Sequence, residues 1–337
     1  MGRMRWLTGA TLAVGLLAAT SPDPPARAAE MDKVKVRLDW VIRGDHAMFF
    51  VAKEKGYFKA ENIDLELIHK GNGSLNTATL VGTYQYDFGF ADLPTVCVAR
   101  AKGVPVVSLI VVNQRSPLAL VALKGTGLHS PKDAEGKSVG INPATSTYLF
   151  YQALMAANQV DRKKVTETTV PPPSEAFLLT RKVQMIPGYI DAEIPELEAR
   201  AGGPGSLEIL LGSEYGYELL GSGVLTSEKM VKERPDLVRR FTRAYLRAFQ
   251  DVIKNLHEGA DILVKHNPDV AEKKEVMIKQ LEADVRYTFT SDDTKEHGLG
   301  WNPPRKWQVT HDTLLRLKVS GNPVQPISAI YSNDFLK

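Results

Sequence analysis

Two groups of side chains in this sequence have the types and spacing for chemistry on a small polar molecule. The first is Asp39-Trp40-x-x-Arg43-x-Asp45-His46, an indole, a guanidinium, an imidazole and two carboxyl groups in one short stretch. The second is Tyr189 with Glu193, whose separation puts both side chains on one side if they share a helical turn. Indole and phenol rings stack on flat heterocycles, and a carboxylate accepts hydrogen bonds from amino or ring N–H groups. Arg43 adds a second option, because guanidinium grips two oxygens of a carboxylate or sulfonate in parallel.

These residues need elements to hold them. Val34, Val36 and Leu38 alternate as in a strand with one buried face, and Asp45 stands where the N-cap of a following helix is expected. Gly56 fits the end of that helix. The polar cluster therefore falls at the carboxyl end of the first strand, where ligands bind in open α/β sheets. Later strands are expected over 63–69, 84–91, 104–112, 118–123 and 165–170, alternating with helices.

Further candidates sit at the corresponding strand ends. Ser74 follows Gly71 and Gly73 and is either a helix cap or a ligand contact. Asp92 is a candidate to face the cleft, whereas Asp87 reads as a solvated or capping residue. Gln114 and Arg115 read first as a solvated hinge and second as ligand contacts. Ser146 and Thr147 open a helix whose unpaired amides suit an anion or carbonyl oxygen, with simple capping as the alternative for Ser146. Pro195 interrupts the simplest helical reading of Tyr189 and Glu193.

Several blocks carry a family resemblance. Asp39-Trp40, then His46, then Ala52-Lys-Glu-Lys-Gly-Tyr-Phe58, resembles the opening of the NMT1/THI5-like group of periplasmic binding proteins. Gly82 with Asp87-Phe88-Gly89, and Lys132-Asp-Ala-Glu-Gly-Lys137, resemble its next blocks, and Trp40 and His46 bring the likeness nearer the pyrimidine-precursor branch than the sulfonate branch. The resemblance implies an α/β class II periplasmic-binding-protein fold, two lobes with a ligand cleft and two hinge crossings. It also implies a solute-binding component of an ABC importer, with a membrane permease as partner, and it marks Tyr189 and Glu193 as an aromatic and acidic ligand block. The expected lobes are 29–116 with 223–337, and 117–222.

Composition fits that expectation. The chain has 337 residues, 43% of them hydrophobic, and a formal charge of +3 without a dense basic stripe, which disfavours nucleic acid as a partner. Arg3 and Arg5 precede an apolar run over 7–20 and then Ala26-Arg27-Ala28, the order of a secretory signal peptide spanning 1–28. A soluble, monomeric protein of the periplasm is expected after its removal.

Cys97 is the sole cysteine, so neither an intrachain disulfide nor a multi-cysteine metal centre is available. His257-Glu258 lacks the second histidine of a helical zinc motif, and the Gly202-Gly-Pro-Gly turn lacks the context of a dinucleotide fingerprint. No metal, cofactor or catalytic residue is expected. A related enzyme family that makes the thiamine pyrimidine is the alternative, but its cysteine-rich iron-binding block has no counterpart after Gly89.

The expected ligand is a pyrimidine-like or other planar nitrogen heterocycle related to thiamine precursors, held between Trp40 and Tyr189, with His46 and Glu193 on its polar side and Asp39 as a further acceptor. An aromatic carboxylate or alkylsulfonate is the alternative that Arg43 and Arg115 leave open. Export is checked directly by mass spectrometry of the natural periplasmic product, which should begin near Ala29; retention of Met1 through Thr20 would refute the assignment.

Overall fold

A computed structural model describes residues 1–2 and 30–337, so the signal-peptide segment lies outside the described residues. Residues 31–337 form one compact unit. Ten strands make its two sheets: β1 (Asp32–Arg37), β2 (Ile63–His69), β3 (Phe88–Asp92), β4 (Val106–Val111), β5 (Leu118–Leu123), β6 (Ser138–Ile141), β7 (Thr166–Thr169), β8 (Met185–Tyr189), β9 (Leu207–Leu211) and β10 (Ser222–Ser227).

The sheet orders are β2-β1-β3-β10-β4 and β7-β6-β8-β5-β9. In each, the fourth strand runs antiparallel to both neighbours, and it is the strand that has just crossed from the other sheet: β10 lies between β3 and β4, and β5 between β8 and β9. This reciprocal exchange of one strand is the class II two-lobed periplasmic-binding-protein architecture. The sequence signal lies in β4 and β5, near-continuous apolar runs buried along almost their whole length, as strands covered on both faces must be; β10, Ser-Gly-Val-Leu-Thr-Ser, is as deeply buried without being apolar throughout.

The two crossings lie side by side. Ser116 donates its N–H to Leu219 at 2.8 Å, and Gly221 donates to Asn113 at 2.9 Å. A Cβ on Gly221 would sit 2.6 Å from that of Asn113, so only glycine lets the segments approach this closely.

Local corrections follow from tertiary contacts. Asp45 does not cap the Ala47–Glu54 helix; it belongs to a 3-10 turn, Gly44–His46, and its carboxylate is held by Arg43 instead. Tyr189 and Glu193 share no helix: Tyr189 ends β8 and Glu193 begins the Glu193–Ala201 helix. Pro195 lies in that helix's first turn, where its missing N–H has no intrahelical partner to lose. Gly73, not Ser74, is the N-cap of the Ser74–Gly82 helix.

The β1 lobe is closed on its outer side by the Pro235–Lys254 helix, whose Leu237, Phe241, Tyr245, Phe249 and Val252 form one buried face. Phe241 stacks on Phe88 with centroids 3.7 Å apart and lies 5.1 Å from Phe58. This packing fixes β3 and the loop beyond it. Phe241→Ala should lower stability by about 3–5 kcal/mol, as for other buried aromatic truncations, read as a lower urea midpoint with an unchanged slope.

Candidate ligand-binding site

The carboxyl ends of β1, β6 and β8 face one another across a narrow cleft. One wall comes from the β1 lobe, with Asp39, Trp40, Arg43, Gly73 and Ser74; the other comes from the β5 lobe, with Asn142, Thr145, Ser146, Thr147, Tyr189 and Glu193. Glycines allow the walls to be built close. A Cβ on Gly71 would lie 2.1 Å from the Leu38 carbonyl oxygen, and one on Gly73 would lie 2.9 Å from that of Ala144 on the opposite lobe.

Arg43 organises the first wall. Its Nη2 donates to Asp39 Oδ2 at 3.0 Å and its Nε to Asp45 Oδ1 at 2.7 Å. Burial would lower the guanidinium's pKa, yet the two carboxylates hold it well above the ordinary value. Asp39 responds in kind: burial raises it, but Arg43 and His46 bring its pKa below the usual range.

His46 is fully buried behind Asp39. Its Nδ1 accepts the Arg43 amide N–H at 3.4 Å, which leaves Nε2–H to donate to Asp39 Oδ1 at 3.0 Å. His46 thus orients Asp39 from behind and does not face the cleft.

On the second wall, the Tyr189 hydroxyl and Ser146 Oγ are 2.6 Å apart, and the Tyr189 amide donates to Glu193 Oε2 at 2.7 Å. The Arg43 guanidinium lies 5.4 Å from the Tyr189 ring centroid, a cation–π contact that joins the lobes. Burial, reinforced by the nearby Glu175 carboxylate, pushes Glu193 up to about 8. Near neutral pH it is therefore largely a carboxylic acid, able to donate as well as accept.

The structure brings together Asp39, Trp40, Ser74, Ser146, Thr147, Tyr189 and Glu193 among the residues singled out from sequence. Ser74 is buried and accepts the Asp92 amide at 3.1 Å. Asp92 lies beneath it, where its Oδ2 caps the Leu93–Ala101 helix by accepting the Thr95 N–H at 3.1 Å. Gln114 and Arg115 sit elsewhere, in the first crossing, on a separate cavity with Glu218, Asp292, Arg305 and Lys306. Gln114 is spent on structure, donating to the Trp301 carbonyl at 3.0 Å.

Asn142 and Ser174 line the cleft without having been singled out, and Thr145 joins them at the opening of the Ser146–Ala157 helix. Asn142-Pro143 was the available signal, since it follows β6 at the same strand end that carries Asp39 on β1. Cys97 is fully buried, and burial pushes its thiol up to about 12. Among the described residues, no group of His, Cys, Asp and Glu could hold a metal ion.

The Arg43 network sets an energetic expectation. Arg43→Met should strand Asp39 and Asp45 in a buried site and lower stability by about 3–5 kcal/mol in urea unfolding. Asp39→Asn in the same background should recover part of that loss, whereas additive losses would mean that the groups are not coupled.

Sequence and structure comparisons agree with this architecture. The riboflavin-binding protein RibY of Chloroflexus aurantiacus is 26% identical over 100% of this chain and 99% of its own. The formylaminopyrimidine-binding protein of Halalkalibacterium halodurans is 25% identical over 90% of this chain and 92% of its own. Among solved structures, the alkanesulfonate-binding protein SsuA from Xanthomonas axonopodis pv. citri has the same fold, with a TM-score of 0.66, 13% identity, and coverage of 90% of this chain and 100% of that one. Sequence thus places the chain nearer pyrimidine-related relatives than sulfonate-binding ones, while its fold is the one shared by solved periplasmic binding proteins. Residues 43–258 match the family described as NMT1/THI5 like, and the chain belongs to that family.

Proposed function

We propose that this protein captures a planar nitrogen heterocycle containing a pyrimidine-type ring and delivers it to a membrane permease, with 29–116 and 223–337 as one lobe and 117–222 as the other. The observation that carries the choice of ligand is the charge pattern of the cleft. Arg43, the one cationic side chain on it among the described residues, is already committed to Asp39 and Asp45. An added carboxylate or sulfonate would meet the ionised Asp39 without an uncommitted cation to balance it.

A neutral ring with N–H and carbonyl groups meets complementary partners. Trp40 and Tyr189 offer aromatic surfaces on opposite lobes, and one Glu193 oxygen remains after Oε2 accepts the Tyr189 amide. Ring carbonyls suit the amides that open the Ser146–Ala157 helix, which has no side-chain cap. The relatives that span nearly the whole chain are named for riboflavin and formylaminopyrimidine, both of which contain a pyrimidine-type ring. The hydroxyl-bearing Thr145, Ser146, Thr147 and Ser174 line the same cleft and suit polar substituents on that ring.

Calorimetry on the mature protein with riboflavin, a formylaminopyrimidine and an alkylsulfonate tests the assignment. One of the two heterocycles should bind with unit stoichiometry and return chemically unchanged. Glu193→Gln should weaken it roughly three- to tenfold, equivalent to about 0.5–1.5 kcal/mol for a hydrogen bond between neutral groups. Trp40→Ala should also weaken it, through lost stacking. Preferential sulfonate binding that ignores Glu193→Gln would overturn the ligand class, and catalytic turnover of the solute would overturn the binding role.

A further inference from the structure

Away from the cleft, three elements meet around a buried acid pair. Asp191 comes from the turn between β8 and the Glu193–Ala201 helix, Asp284 from the Lys274–Tyr287 helix that packs on the β1 lobe, and Asn113 from the first crossing. Both carboxyl groups are buried. Asn113 Nδ2 lies 2.7 Å from Asp284 Oδ1, 2.8 Å from Thr288 Oγ1 and 3.3 Å from Asp191 Oδ2. It has only two hydrogens for these acceptors.

Thr288 Oγ1 donates to Asp284 Oδ1 at 2.6 Å, and no protein donor reaches Asp284 Oδ2 or Asp191 Oδ1. Asn113 Nδ2, within 3.3 Å of an oxygen of each, sets the two carboxyl groups side by side. A single proton between them would satisfy both orphan oxygens and remove the repulsion of two adjacent buried charges.

We propose that Asp191 and Asp284 share one proton across the lobe interface, and that this proton latches the lobes together and is released when they separate. The idea requires lobe movement but not any particular solute. On opening, each carboxyl would lose its acidic neighbour and gain water, becoming an ordinary ionised carboxylate near neutral pH. Closure then takes one proton back from solvent.

The surroundings favour the protonated pair. Burial comes first in raising both groups, to about 6 for Asp191 and well above the ordinary value for Asp284. Asp45, from the Gly44–His46 turn, adds negative potential to both, and Arg43 opposes it at Asp191. Tyr245, from the Pro235–Lys254 helix, faces Asp45 and Asp284 with its hydroxyl unpaired, and it brings no positive charge. Lys273, which pairs with Glu196 at 3.0 Å, and Gln280, which donates to the Ala192 carbonyl at 2.8 Å, join the same two helical regions nearby.

The direction of the pH effect follows from the raised closed-state values. The closed form holds the extra proton, so the latch is complete at low pH and is lost as pH rises through those values. Between them and the ordinary carboxylate range, the closed-to-open ratio should rise up to about tenfold for each pH unit lowered.

Small-angle scattering of the solute-free mature protein at about pH 5 and about pH 8 reads this ratio over the window where linkage acts. The wild type should be more compact at the lower pH. Asp284→Asn should remain compact at both, because an amide replaces the shared proton with a permanent N–H donor. Asp191→Asn, on the opposite lobe, should behave alike and supplies the test if the first variant fails to fold by circular dichroism. Equal dimensions of the wild type at both pH values would overturn the latch. So would a full pH response in either folded variant, or loss of the response in Glu193→Gln with its retention in Asp284→Asn.

Discussion

The buried guanidinium of Arg43 is the constraint on which the cleft depends. Two carboxylates and one guanidinium are removed from water together, and isolated burial of any one of them would be strongly unfavourable. Their mutual hydrogen bonds fix Asp39 on one side and Asp45 on the other, and His46 locks Asp39 from behind. Because Arg43 also lies against the Tyr189 ring, the same group that neutralises the β1 wall meets the other lobe. A substitution that looks conservative in charge, such as lysine, could not reproduce a planar fork between two carboxylates.

The two lobes are joined where the chain crosses between sheets. The strands that cross are deeply embedded in their new sheets, so each lobe keeps its hydrogen bonding when the other turns. The paired crossing segments, with glycine required at Gly221, pack closely and hydrogen-bond to each other. Asn113 stands in the first crossing while touching acids from both sides. Hinge, acid pair and cleft are therefore neighbouring parts of one interface.

The cleft itself combines aromatic surfaces with hydroxyl and amide groups, and its acidic residues differ in state. Asp39 is held ionised by its partners, whereas Glu193, buried beside Glu175, retains its proton to about 8. Two carboxyl groups on one site thus present an acceptor and a donor at neutral pH. Such a pair matches a ring edge carrying both N–H and carbonyl groups better than a uniformly anionic solute.

The sequence by itself determined the alternation of strands and helices, the embedded apolar runs of β4 and β5, and the placement of Asp39, Trp40, Ser74, Ser146 and Thr147 at strand ends, because these depend on local periodicity and chain order. Tyr189 and Glu193 were legible as residue types but not as a geometry: their expected shared helix is a strand-to-helix turn held by a side chain accepting a backbone N–H. The role of Asp45 was decided only by tertiary structure, since a capping position and an Arg43 ion pair use the same carboxylate and the buried guanidinium makes the stronger claim. Gln114 and Arg115 shared the right chain neighbourhood but went to another cavity, and His46 went behind the wall instead of onto it. The acid pair of Asp191 and Asp284 had no sequence signal at all, because it is made by folding segments ninety-three positions apart onto one hinge. Local pattern fixes which end of a strand a residue occupies; only the packing of one lobe against the other decides what its side chain meets.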